Sequence, residues 1–145
     1  MSIFYNKEIT SLEINNTKIS EEFKNFILDI LKGLHETHLL SIKNCSLKGK
    51  VANYLFDSLL KENLIEFKAI YLRNNSLEDP KENSIIKYLK KLDKLKVLKV
   101  EENKLKGLLL KKFCDVIKDK NSFEYFSIQG NELKWPEVEF IFDFI

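Results

Sequence analysis

Residues 67–77 read FKAIYLRNNSL, a spacing of L-x-x-L-x-L-x-x-N-x-L in which Phe67, Ile70, Leu72, Asn75 and Leu77 hold the marked places. The same spacing returns as ITSLEINNTKI from Ile9, THLLSIKNCSL from Thr37, LKVLKVEENKL from Leu95 and FEYFSIQGNEL from Phe123. Successive copies start 28, 30, 28 and 28 residues apart. A fixed period of this length marks a solenoid, in which one unit cannot bury its apolar face alone and stability comes from stacking. Side chains at the fourth and sixth positions of each copy point to one side of a strand, because strand residues alternate, and all ten are apolar. The ninth position falls in the turn leaving the strand. Its occupants are Thr17, Cys45, Asn75, Asn103 and Asn131, where a polar side chain satisfies backbone groups otherwise orphaned in the core.

The pattern resembles the leucine-rich repeat family, in its longer ribonuclease-inhibitor-like subtype, where a short strand and a full helix make up each unit. The resemblance implies a right-handed α/β solenoid of five strand-helix repeats, with a parallel sheet lining the concave side and helices on the convex side. It covers nearly the whole chain as a single domain over 1–145. The repeats start near 9, 37, 67, 95 and 123, with residues 1–8 as an N-terminal cap and 134–145 as a short C-terminal helix. The subtype also places apolar residues at positions 19 and 23, here Ile27 and Leu31, Leu55 and Leu59, Ile85 and Leu89, Phe113 and Ile117, Ile141 and Ile145. Of the 30 sites at positions 1, 4, 6, 11, 19 and 23, 29 are apolar, Thr37 alone departing, where a 44% hydrophobic composition gives about 13 by chance.

Helix signals agree with this frame. Ser20 followed by Glu21 and Glu22 offers an N-cap and a favourable first-turn charge. An apolar stripe follows at Phe23, Phe26, Ile27, Ile30, Leu31 and Leu34. A second helix is expected from about Gly49 to Lys61, and Asp79 with Pro80 opens a third. The third repeat reads as the long one, its two extra residues lying in KKLDK before Leu95. The fourth helix uses Leu109, Leu110, Phe113, Val116 and Ile117. A last short helix, opened by Pro136, would leave Trp135, Phe140 and Phe144 either folded over the end of the stack or exposed as an apolar patch for a partner.

Composition removes several function classes. Lys and Arg total 24 against 22 Asp and Glu, a net charge of +2, which argues against a dedicated nucleic-acid binder. Arg73 is the single arginine, and lysine lacks the planar fork used for bidentate phosphate contacts. The N-terminus carries no signal-peptide pattern and no apolar run reaches membrane-spanning length, so a soluble cytoplasmic or nuclear protein is expected. Cys45 and Cys114 lie about two and a half repeats apart and read as reduced thiols. His35 and His38 form a lone H-x-x-H without clustered ligands, and four scattered glycines make no phosphate loop. Carboxylate pairs such as Glu101 and Glu102 read as solvated turn residues. No catalytic residues, metal, cofactor or small-molecule substrate are assigned, and the chain is not expected to be an enzyme.

What remains is surface. Positions 3, 5 and 7 of each strand face outward, giving the rows Ser11, Leu39, Ala69, Val97, Tyr125, then Glu13, Ser41, Tyr71, Lys99, Ser127, then Asn15, Lys43, Arg73, Glu101, Gln129. Within them Leu39, Lys43, Tyr71, Arg73, Val97, Lys99 and Tyr125 compose a protein-binding patch of aromatic and cationic anchors among polar neighbours. Proteins of the resembled subtype inhibit ribonucleases, activate a small GTPase or bind actin filament ends. The resemblance thus implies a non-catalytic protein-interaction module that binds a protein partner through its concave strands, as a small subunit or regulator of a larger assembly. The alternative is a ribonucleoprotein or ribosome-associated factor using its lysines on RNA phosphates.

Overall fold

The computed structural model describes residues 9–34, 36–62, 66–77, 84–135 and 139–141. Five short strands alternate with helices in the order β1 (Ser11–Asn15), α1 (Glu21–Lys32), β2 (Leu39–Lys43), α2 (Gly49–Glu62), β3 (Ala69–Tyr71), α3 (Ser84–Lys91), β4 (Val97–Lys99), α4 (Gly107–Lys118) and β5 (Tyr125–Ser127). A single turn of 3-10 helix follows at Glu139–Ile141. The strands pair in parallel, in chain order, as one open sheet. Each helix packs against the next along the stack, and α4 carries the 3-10 turn. The result is a repeat-like α/β fold compatible with a solenoid.

Strand register reproduces the repeat alignment. Ser11, Leu39, Ala69, Val97 and Tyr125 pair in succession, as do Leu12, Leu40, Ile70, Leu98 and Phe126. It also corrects one expectation. Leu39 pairs with Ala69, 30 residues on, whereas Ala69 pairs with Val97, 28 residues on. The two extra residues therefore belong to the second unit, not to KKLDK in the third. They go with a longer helix, since α2 has 14 residues where α1 and α4 have 12. The KKLDK segment instead makes a tight reversal in which Leu92 N–H donates to Leu89 O and Leu95 N–H to Leu92 O.

The core lies between the sheet and the helices. Leu40, Ile42, Ile70, Leu72, Leu98 and Val100 from the strands are fully buried against Ile27, Leu31, Leu55, Leu59, Ile85, Leu89, Phe113 and Ile117 from the helices. Thr37, the one polar residue at an apolar position, is buried and donates its hydroxyl to Ile9 O, which removes the cost of placing it there. Burial weakens toward both ends, where Leu12, Ile14, Phe126 and Ile128 are only half-buried, each end unit having a strand-helix neighbour on one side alone among the described residues.

The turns after the strands are held by an asparagine ladder inside the core. Asn75 Oδ1 accepts from Cys45 N at 3.0 Å and Leu47 N at 3.3 Å, and its amide donates to Ile42 O and Arg73 O. Asn103 repeats this one unit on, as does Asn131 beyond it. Cys45 completes the series with its thiol, directed at Ile14 O and Lys43 O. The flanking backbone is left-handed at the eighth repeat position, in Asn16, Asn44, Asn74, Glu102 and Gly130, and at the tenth in Ser46, Ser76 and Lys104. Asn and Gly take that region at least cost. Their side chains add an outer rung, Asn74 donating to Asn44 and Asn44 to Asn16, each at 2.8 Å.

Helix α1 follows the sequence in part: Ile27, Leu31 and Leu34 of the expected stripe are buried, but so are Lys24 and Leu28 beside it, and Phe23 and Ile30 are only half-buried. Ser20 caps α1 by accepting from Phe23 N at 3.2 Å. Phe26, read as part of the apolar stripe, is 48% exposed, because it sits at the edge of that stripe on α1, which among the described residues packs against α2 as its one helix neighbour. Residues 1–8, Asp79, Pro80, Pro136, Phe144 and Ile145 lie outside the described residues. Among the described residues no helix is long and apolar enough to cross a membrane.

Candidate binding face on the parallel sheet

Parallel pairing brings side chains 28 to 30 residues apart into lateral rows about one strand spacing apart, roughly 4.8 Å. The residues expected to share a face therefore do share it. Tyr71 on β3 pairs with Ser41 on β2 and with Lys99 on β4, and Lys99 pairs with Ser127 on β5. Leu39, Ala69 and Val97 form the half-buried row beside them, and Tyr125 at its end is 51% exposed.

Three of these residues interlock. Lys99 Nζ lies 4.7 Å from the centre of the Tyr71 ring and 5.5 Å from that of Tyr125, so the ammonium is held between two aromatic faces. Lys43 Nζ approaches Tyr71 to 5.5 Å. A cation over an aromatic ring gains about 0.5–1 kcal/mol at an exposed site and loses rotamer freedom before any partner arrives. Lys43, Tyr71, Arg73, Lys99 and Glu101 line a shallow cavity of about 160 Å³.

The carboxylates at its rim are already engaged. Glu101 Oε1 accepts from Ser127 Oγ, and Arg73 Nη2 donates to Glu102 Oε1 at 2.6 Å. The hydrogen bond to Glu102 raises the Arg73 pKa further above its ordinary value, keeping the guanidinium charged. Read from sequence as solvated, Glu101 is half-buried and Glu102 exposed, and each also holds a residue of a neighbouring unit. The signal available in the sequence was opposite charge one period apart at adjacent turn positions, Arg73 against Glu102.

Two small residues on the same face behave differently from the expectation of an outward row. Ser127 is buried beneath Glu101, and Ser41 has no exposed surface and no hydrogen-bond partner for its hydroxyl among the described residues. The second patch proposed from sequence divides. Trp135 is 66% exposed, Phe140 is half-buried in the turn that packs on α4, and Phe144 lies outside the described residues.

Elsewhere, burial accounts for the unusual groups. Cys114 on α4 has its thiol pushed up to about 11 by burial, with Asp115 adding to the shift. Lys120 is lowered by burial and donates to Lys90 O and Leu92 O at the end of α3, a structural cap that holds two units together. Cys45 and Cys114 are both free and buried. No protein-family model and no curated protein matches the chain.

Proposed function

We propose that the chain is a leucine-rich repeat protein of the ribonuclease-inhibitor-like subtype, wound right-handed, and that it is a non-catalytic docking module for a protein partner. The 28-residue period, the parallel sheet in chain order and the buried asparagine ladder support the family reading. The docking reading is carried by one observation, Lys99 held between Tyr71 and Tyr125 on the open face of the sheet. Aromatic and cationic side chains fixed before contact are what an interface hot spot requires, since less side-chain entropy remains to be lost on association. The module would act as a small subunit or regulator of a larger assembly in the cytoplasm or nucleus. A ribonucleoprotein factor is the second reading, favoured by the convergence of Lys43, Arg73 and Lys99 on one cavity.

Affinity capture from native extract at low and high salt, with and without ribonuclease, separates the two. A protein partner retained at high salt and after ribonuclease supports docking. Tyr71→Ala with Tyr125→Ala should then weaken it by about 2 kcal/mol or more for each residue that is a hot spot. Recovery only of RNA and its particle proteins, lost steeply as salt rises, would replace this reading by the second. Contacts to 6–10 phosphates lose roughly 10³–10⁵ in affinity between 50 and 200 mM salt.

A further inference from the structure

We infer that the cavity between Lys43, Tyr71, Arg73 and Lys99 receives a carboxylate side chain from an acidic segment of the docked protein, an inference that rests on the docking reading above. The first ground is unbalanced charge. Lys43 and Lys99, like most lysines among the described residues, have no carboxylate partner, but these two converge on one cavity and are held over tyrosine rings. An aromatic face orients an ammonium without neutralising it, so both keep their full charge for a ligand.

The second ground is an excess of cations. Glu101 lines the cavity and keeps its charge while accepting from Ser127, and Glu102 at the rim is joined to Arg73, so Lys43, Arg73 and Lys99 outnumber the two carboxylates by one. The remaining N–H donors of the Arg73 fork extend the donor set beyond the two ammonium groups.

Size and surroundings select the ligand class. A volume of about 160 Å³ lies below the 300–1,000 Å³ typical of small-molecule sites and suits the end of one side chain. A strand of RNA needs a basic groove that follows several phosphates. Here the rows leave the cavity through Leu39, Ala69, Val97, Ser41 and Ser127, and end at Glu13, Asn15 and Gln129. The cations are a cluster and not a track, which favours one or two carboxylates presented among apolar contacts.

The test uses the full chain and three fluorescein-labelled probes at low salt: oligoglutamate, oligoglutamine of equal length and oligouridylate, each followed by anisotropy. Oligoglutamate should bind and oligoglutamine should not. Lys43→Gln with Lys99→Gln should weaken oligoglutamate about tenfold or more, while Lys94→Gln, outside the cavity, leaves it unchanged. All three changed side chains are tested in proteins whose thermal melts match the parent. Equal binding of oligoglutamine, or an equal loss with Lys94→Gln, overturns the inference. So does oligouridylate binding more tightly than oligoglutamate through the same two lysines, which would assign the cavity to phosphate. Failure of every probe to bind overturns the carboxylate inference alone. The docking reading is judged separately, by whether Tyr71→Ala with Tyr125→Ala releases a captured partner.

Discussion

Asn103 Oδ1 accepts the backbone N–H of Asn75 at 2.8 Å, while Asn75 Oδ1 accepts that of Cys45 at 3.0 Å, so each turn of the stack is satisfied by the side chain of the next. Both asparagines are buried, and each uses its carbonyl and its amide. The ladder makes every unit depend on its neighbour for hydrogen bonds as well as for packing.

Replacing Asn103 by Ala strands the buried N–H groups of Asn75 and Leu77 and takes a donor from the carbonyl of Leu72, while the Glu101 carbonyl keeps the N–H of Asn74. With each orphaned buried group costing about 1–3 kcal/mol, Asn103→Ala should destabilise the protein by roughly 3 kcal/mol or more. Urea unfolding followed by circular dichroism reads this as a lower midpoint. A loss below about 1 kcal/mol would show that water or a shifted turn replaces the ladder.

Ser41 presents the opposite case. Its hydroxyl is buried and unpartnered, so Ser41→Ala removes a desolvated polar atom and should be neutral or stabilising by up to about 1 kcal/mol. Equilibrium unfolding of that variant checks the sign. A clear destabilisation would mean that the hydroxyl has a partner in solution.

At Gly130 the backbone has φ +71°, and a Cβ there would lie 2.9 Å from Glu102 Cγ. Gly130→Ala should cost about 1–2 kcal/mol, the penalty of a left-handed conformation with a side chain, and should displace Glu102. Since Glu102 holds Arg73, the same variant should change Arg73 Nε–H exchange in a nuclear magnetic resonance spectrum, a readout separate from stability.

Cys114 gives a pH dependence. Burial raises its thiol from 9.0 to about 11, so between those values the folded protein binds a proton that the unfolded chain has lost. Its contribution to stability is complete below pH 9 and disappears as pH rises through about 11. Thermal melts from pH 8 to 11 should show a fall in Tm above pH 9 that Cys114→Ala reduces. A disulfide-exchange reagent should modify neither thiol of the folded protein at neutral pH, because both are buried.

The repeat frame was legible because its cause is local. Apolar residues at fixed spacing, the ninth-position polar residues and the Ser20 cap each fix their own strand, turn or helix, and the strand register follows once identical units stack. The sequence likewise determined which residues share the sheet face. The 30-residue step from Thr37 to Phe67 already placed the long unit second, as the register shows, whereas the exposure of Phe26 was decided by packing, since it depends on what stands next to a helix and not on the helix's own residues. The candidate site belongs to the tertiary structure in the same way. Whether Lys99 pairs with a carboxylate or lies between Tyr71 and Tyr125 depends on rotamers set across units 26 to 29 residues apart, where Glu101 has turned to Ser127 and Glu102 to Arg73. A repeat pattern fixes positions along the chain, but charge is neutralised across space, and only the stacked units show which cations have been left without an anion.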